Sequence, residues 1–152
     1  FAFLQELVRM ARTLRAECTI TPEKRLRVLA RPDGEREPAL RRNEGLVKLL
    51  AGIGELEIKA AAGARPAGSI GLVGRGFEAF VFVAEVVDTA ALRQKFGKDL
   101  ERDRKFMQAL RTKLANEQFV KNAPPELVAA EQAKLEECLK RTDKIESYLR
   151  DL

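Results

Sequence analysis

Two apolar patterns in residues 88–152 constrain this chain more than any other feature. Their members follow the alternating three-and-four spacing of a coiled-coil seam. The first contains Phe96, Leu100, Met107, Leu110 and Leu114, and the second contains Val128, Leu135, Cys138, Ile145, Leu149 and Leu152. Residues 116–125 between them are too few for anything but a reversal, so the pattern predicts an antiparallel pair of long helices. A helix over residues 88–115 is about 40 Å long, which suits contact with a large partner better than catalysis.

Asp103 interrupts the first pattern, because the spacing puts a carboxylate where an apolar residue belongs. An antiparallel register that pairs Leu114 with Val128 places Asp103 near Cys138 and Leu139. One interpretation is local fraying, with the carboxylate turned toward Arg104 or a lysine. The other is a polar device that fixes the register of the two helices. We favour the first.

Residues 1–87 alternate between helical and extended patterns. Helices are predicted over residues 1–17 and 38–51, and strands over residues 25–31, 55–59, 69–73 and 77–83. Small residues predict a loop over residues 60–68, and Gly74-Arg75-Gly76 predicts a hairpin turn. The fold class is therefore α+β. Residues 1–87 form a small α/β base of three or four short strands and one or two helices, and residues 88–152 form an antiparallel coiled-coil arm.

Periodicity also predicts which side chains of the base are buried. The first helix has an apolar stripe of Leu4, Leu7, Val8, Ala11 and Leu14. The core side of the second helix is expected to consist of Leu40, Leu46, Val47, Leu49 and Leu50. In the first strand, Leu26, Val28 and Ala30 are expected to point inward.

No residue pattern in the chain predicts an active site or a metal site. The absence of histidine excludes His-based acid–base catalysis and most zinc sites. Cys18 and Cys138 are too far apart in sequence for a metal-ligand motif, and they predict a reducing, cytoplasmic setting. No stretch is apolar enough to span a membrane. Because the chain begins with Phe1 inside a predicted helix, we expect it to be a fragment of a longer protein.

The net charge of +5 is unevenly distributed. Between residues 102 and 121 there are six basic residues and only two acidic ones, Asp103 and Glu117. A solvated helix face is charged in any case, which is the simpler interpretation. A positive end on a long helical pair also fits contact with a phosphate backbone.

The segment between the two apolar patterns carries a family resemblance. It contains Lys113-Leu114-Ala115-Asn116, then Phe119-Val120 and Ala123-Pro124. This arrangement resembles the turn of the C-terminal coiled-coil arm of bacterial valyl-tRNA synthetases. A weaker match, from Arg15-Ala16-Glu17 to Leu26-Arg27-Val28, is similar to the end of that family's anticodon-binding helical bundle. The chain departs from the family at Asp103 and Leu92, which puts the regularity of the inner half of the arm in doubt.

The residues of this corner also have structural roles that need no family. Asn116 can bond to free backbone groups where the first helix ends. Phe119 and Val120 can fold back to close the end of the seam. Pro124, followed by Pro125, can start the second helix, where a missing N–H costs nothing.

The resemblance implies that the intact protein is a class I aminoacyl-tRNA synthetase, a valine–tRNA ligase. It would attach valine to tRNA(Val) with ATP and Mg²⁺ and would hydrolyse threonyl-tRNA at an editing domain. None of that chemistry is expected in this chain, which lacks the histidine and Lys-Met-Ser-Lys-Ser signatures and needs no cofactor of its own. Its own role, as the family implies, is to brace the outer corner of tRNA. The candidate tRNA-binding residues are Arg102, Lys105, Arg111, Lys113 and Lys121, with Arg9, Arg12 and Arg15 as a second group.

The expected partner is therefore tRNA(Val), bound by a cytoplasmic monomer with no DNA or membrane partner. The alternative is a non-catalytic coiled-coil module that dimerises or binds a protein. The long apolar seam supports this alternative, because the pattern does not tell whether its partner is the neighbouring helix or another chain.

Overall fold

The computed structural model describes residues 1–59 and 63–152. These residues form an α+β fold, as predicted, with a four-stranded sheet and six α-helices. In chain order the elements are α1 (Ala2–Glu17), β1 (Leu26–Pro32), α2 (Glu37–Arg42), α3 (Glu44–Ala51), β2 (Ile53–Ile58), β3 (Ile70–Gly74), β4 (Phe77–Val81), a 3₁₀ turn (Val83–Glu85), α4 (Thr89–Ala115), α5 (Glu117–Asn122) and α6 (Pro125–Asp151). Residues 60–62 of the predicted loop lie outside the described residues.

The described chain divides into two compact units. The first comprises residues 1–92 with residues 151 and 152, and the second comprises residues 93–150. We had predicted a boundary between residues 87 and 88 from the sequence pattern. Within the described ranges, no helix is both long enough and apolar enough to cross a membrane.

The sheet of the first unit has the strand order β2-β1-β4-β3. β1 pairs in parallel with β2 and antiparallel with β4, and the predicted hairpin of β3 and β4 is present. Leu26, Val28 and Ala30 are buried as predicted. Leu29 on the opposite face is buried as well, in a cluster with Phe80 and Phe82. The alternation missed this because β1 lies inside the sheet, with apolar residues on both of its faces.

The single helix predicted over residues 38–51 is wrong, because the chain breaks at Asn43. There the backbone has φ −112° and ψ 15°, and the side-chain amide donates a hydrogen bond of 2.8 Å to the carbonyl oxygen of Ala39. Asparagine competes in this way with the helical backbone bonds, so α2 ends before it and α3 begins after it.

The break also changes which leucines are buried. Leu40 and Val47 are buried as predicted, and α3 packs on α1 and β2. In contrast, the exposed fractions of the three remaining core candidates are large: 52% for Leu46, 70% for Leu49 and 50% for Leu50. Their predicted burial is wrong, since after the break only the Val47 and Ala51 side of α3 faces the core.

In the second unit, α4 and α6 each contain 27 residues. Lys113 near the end of α4 contacts Glu131 near the start of α6, whereas Arg104 contacts Glu146. The buried side chains of this unit include Phe96, Leu100, Met107, Leu110, Cys138 and Ile145. Six of the eleven predicted seam residues are therefore buried, and the other five are half-buried: Leu114, Val128, Leu135, Leu149 and Leu152.

Asp103 does not fray, so the interpretation that we favoured is wrong. α4 is continuous through this position, and Asp103 is only 3% exposed. Arg104 bonds to Glu146 instead, and the Asp103 carboxylate accepts hydrogen bonds from Arg141. As predicted, Asp103 lies near Cys138. The Cys138 thiol is 3.5 Å from the Asp103 carbonyl oxygen. Leu92, the other departure from the family, is buried within α4.

Candidate nucleic-acid interface

The five basic candidates of the second unit differ in how their charges are balanced. Three of them lie close to a carboxylate. The distances are 3.3 Å from Arg102 Nη2 to Asp99 Oδ1, 3.5 Å from Lys105 Nζ to Glu101 Oε1, and 3.7 Å from Lys113 Nζ to Glu131 Oε1. The Arg102 and Lys105 side chains are 72% and 78% exposed, so water screens these two pairs strongly.

Arg111 and Lys121 have no ion-pair partner among the residues that the structure describes. Both side chains are exposed, Arg111 in the last turns of α4 and Lys121 at the end of α5. Their charges are therefore available to an external anion. Together they give the end of the second unit that contains α5 two exposed positive charges without an ion-pair partner among the described residues.

Glu131 is a functional neighbour that the sequence analysis missed. It is only 6% exposed and faces two ammonium groups, Lys113 at 3.7 Å and Lys134 at 3.3 Å. Two cations around one carboxylate leave one positive charge in excess. The available signal was the spacing, because residue 131 falls between Val128 and Leu135 at a seam position.

The corner over residues 116–125 is built by short-range hydrogen bonds. Asn116 caps α5, since its side-chain oxygen accepts bonds from the backbone N–H groups of Gln118 at 3.0 Å and Phe119 at 3.4 Å. The Asn116 side chain thus bonds to the helix that follows it, whereas its backbone N–H donates to the carbonyl oxygen of Lys113 at the end of α4, at 3.2 Å. The corner is not a simple reversal, because it contains the six residues of α5.

The other corner residues have separate surroundings. Phe119 is half-buried, and the Lys113 ammonium lies 4.9 Å from its ring centroid, within the range of a cation–π contact. Val120 is 44% exposed, so it contributes little to closing the seam. The carbonyl oxygen of Pro124 accepts bonds from the N–H groups of Leu127 and Val128, which places Pro124 at the start of α6.

In the first unit, Arg15 is held by the backbone. Its guanidinium donates to the carbonyl oxygens of Gly52 at 3.3 Å and Thr21 at 2.8 Å. Burial lowers the pKa of Arg15, the charge of Arg25 lowers it further, and Glu23 acts in the opposite direction. Arg15 stays charged, because an arginine starts far above neutral pH. It therefore serves as a structural anchor.

Arg9 and Arg12 are exposed on α1, and no carboxylate forms an ion pair with them in the described part of the chain. Both line an apolar cavity of about 620 Å³ between α1 and α3, to which Leu46 and Leu50 contribute. Arg12 and Arg15 also line a second cavity with Arg25. The sequence analysis missed Arg25, which lies in the loop before β1 and joins the others only through folding.

The described residues contain no group of three His, Cys, Asp or Glu side chains that could hold a metal ion. Cys18 and Cys138 are both buried. Among the described residues, exposed basic side chains such as Arg111 and Lys121 form the candidate interface.

Comparison with known proteins supports the resemblance to valyl-tRNA synthetases. Residues 88–152 match the family described as valyl tRNA synthetase tRNA binding arm. Over 98% of its length, the chain is 41% identical to a valine–tRNA ligase of Treponema denticola and 33% identical to one of Treponema pallidum. It is 33% identical to a valine–tRNA ligase of Francisella tularensis over 88% of its length. The chain covers only 16%, 17% and 14% of these relatives. These matches confirm the resemblance that the corner sequence indicated.

Proposed function

Because residues 88–152 belong to the family of valyl-tRNA synthetase tRNA-binding arms, we propose that this chain is the tRNA-holding, C-terminal part of a valine–tRNA ligase. The complete enzyme, a class I aminoacyl-tRNA synthetase, attaches valine to tRNA(Val) with ATP and Mg²⁺ and edits threonine in other parts of the protein. The observation that carries this proposal is the range of the family match, which coincides with α4, α5 and α6.

The proposal includes an antiparallel coiled-coil arm made by α4 and α6. The opposite order of the Lys113–Glu131 and Arg104–Glu146 contacts supports it. So does the seam spacing of the buried residues. Since α6 occupies the seam of α4 within one chain, the apolar pattern needs no second copy, and we propose a monomer. This weakens the alternative of a dimerisation or protein-binding module.

The arm holds the outer corner of tRNA through its phosphate backbone. Arg111 and Lys121 contribute first, because no carboxylate of the described chain has to be displaced from them. Arg102, Lys105 and Lys113 contribute after exchanging a carboxylate neighbour for a phosphate. Such contacts position the RNA and carry no sequence information by themselves. The protein acts in the cytoplasm, and neither DNA nor a membrane is its partner.

Titration of labelled tRNA(Val) with the 152-residue chain, at several salt concentrations, tests this function. We expect the logarithm of the binding constant to fall linearly with the logarithm of the salt concentration. The slope should be about −0.9 for each phosphate contact on duplex regions. Light scattering on the same samples is expected to give the mass of one chain per tRNA. A tight dimer that is indifferent to tRNA would establish the protein-binding alternative instead.

A further inference from the structure

A cleft of about 370 Å³ lies in the first unit, where the end of α1, the loop before β1 and the end of α3 meet. Three arginines line it, Arg12, Arg15 and Arg25, beside apolar side chains that include Ile20 and Leu50. No carboxylate is among its lining residues. Three guanidinium groups around one small concave surface, without an acid, form an arrangement that attracts an anion.

Arg15 lies at the floor of this cleft, and hydrogen bonds hold its side chain in place. Its two hydrogen bonds to backbone carbonyl oxygens hold the guanidinium plane beside Gly52. A Cβ atom at Gly52 would lie 3.1 Å from Arg15 Nη1, and the backbone there has φ +68°, which disfavours a side chain. Glycine at this position therefore leaves room for the half-buried guanidinium of Arg15. A guanidinium that is already ordered loses little further entropy when it meets an anion.

Arg12 and Arg25 form the mouth of the cleft. Arg12 lies one turn before Arg15 on the same face of α1, and Arg25 is close enough to lower the pKa of Arg15. Both are exposed, and neither has an ion-pair partner among the described residues. Glu23 is the acid near Arg15, and its pKa is lowered first by a bond to its own backbone and next by one from the Thr21 side chain. Glu23 therefore stays ionised, and one carboxylate beside three guanidinium groups leaves the cleft with a net positive charge.

We propose that the cleft of Arg12, Arg15 and Arg25 binds a backbone phosphate of the RNA that the arm holds. This inference rests on the proposed function and adds a second contact region, on the first unit. Arginine is suited to it because its planar fork donates two parallel hydrogen bonds to phosphate oxygens. The site reads the backbone and not the base.

The test compares two double variants of the 152-residue chain in the tRNA(Val) titration. The variant Arg12→Gln/Arg25→Gln removes the two exposed arginines of the cleft. It keeps Arg15, whose hydrogen bond to Thr21 supports the loop before β1. Arg42→Gln/Arg75→Gln removes the same charge from exposed arginines outside the cleft. We expect the cleft variant to bind about tenfold more weakly, with a salt slope shallower by about 0.9, the loss of one phosphate contact. The control is expected to change binding less than threefold, and equal urea midpoints show that all chains are folded.

Hydroxyl-radical footprinting of the bound tRNA locates the contact. The cleft variant is expected to expose one short backbone segment that an Arg111→Gln/Lys121→Gln variant leaves protected. Equal weakening by the cleft and control variants, with no segment exposed, would overturn the cleft while the arm still binds. Binding that none of the three variants changes would instead overturn the proposed function.

Discussion

Arg141 holds the buried carboxylate of Asp103 with two hydrogen bonds. Nε lies 2.9 Å from Oδ2, and Nη2 lies 3.1 Å from Oδ1. The Asp103 side chain is 4% exposed and that of Arg141 is 51% exposed, so the pair is reached by water from one side only. The hydrogen bond with Asp103 raises the pKa of Arg141, burial opposes this, and the charge of Asp103 adds to it. The two bonds join α4 to α6 at this position.

We predict that Arg141→Met lowers the free energy of unfolding by about 2 kcal/mol, because the buried carboxylate of Asp103 loses both hydrogen bonds from Arg141 and keeps only Arg102, whose Nε lies 4.0 Å from Oδ1. In urea denaturation, the double variant Asp103→Leu/Arg141→Met is expected to regain most of this loss. Arg104→Met serves as the control, since its pair with Glu146 is exposed and is worth less than about 0.5 kcal/mol. Equal losses in Arg141→Met and Arg104→Met would refute the role of the buried pair.

Asn116→Ala is expected to destabilise the corner by about 1 kcal/mol, because the backbone N–H groups of Gln118 and Phe119 lose their acceptor. Amide hydrogen exchange is expected to speed up in α5. Asn116→Asp keeps the acceptor and is the matched control. Unchanged exchange in α5 of the alanine variant would mean that the cap does not hold the corner.

Two residues of α3, Val47 and Leu50, are expected to differ in how much their substitution destabilises the fold. Val47 is 2% exposed, and Val47→Ala is expected to cost about 1–2 kcal/mol through lost burial and the cavity left behind. Leu50 is half exposed, so Leu50→Gln is expected to lower the free energy of unfolding by less than about 0.5 kcal/mol. Urea midpoints of the two variants measure this. A larger loss at Leu50 would show that the leucine face is buried in solution.

Acid is expected to weaken the first unit partly through Glu85. Its pKa is lowered chiefly by the hydrogen bond from Arg27, whose Nη2 lies 2.6 Å from Oε2. A carboxylate with a lowered pKa stabilises the fold above its unfolded value, about 4.3, and loses this contribution as pH falls through the folded value. The melting temperature of the parent chain should therefore fall more between pH 5 and pH 3 than that of Glu85→Gln. Parallel curves would exclude this contribution, which is small because both side chains are exposed.

The long helices could be predicted from the sequence because their period is repeated many times. α4 and α6 follow the apolar spacing, and Cys138 takes the seam position expected of it. The hairpin of β3 and β4 could also be predicted, from the glycines of its turn. Gly76 has φ +76° there. These are local signals, and they need no knowledge of which elements meet.

The remaining features depend on tertiary contacts. Asn43 ends a helix through one side-chain bond that apolar periodicity does not register. The partner of Asp103 is 38 residues away, so it follows only from the register of α4 on α6. Arg25 likewise reaches the arginines of α1 through the fold. Charge counts predicted a positive outer end but not that three of its five candidates lie beside carboxylates.

The central claim is that uncompensated cations at the outer end of the arm hold tRNA. Its most direct test is the tRNA(Val) affinity of Arg111→Gln/Lys121→Gln beside that of Arg102→Gln/Lys105→Gln, at the same salt concentration. Both remove two positive charges from the arm, but only the second pair lies beside Asp99 and Glu101. We expect Arg111→Gln/Lys121→Gln to bind tRNA(Val) about tenfold more weakly, and its plot of log K against log salt to be shallower by about 1.8. Arg102→Gln/Lys105→Gln is expected to lose less affinity. Equal affinity of the first variant and the parent chain would contradict the claim.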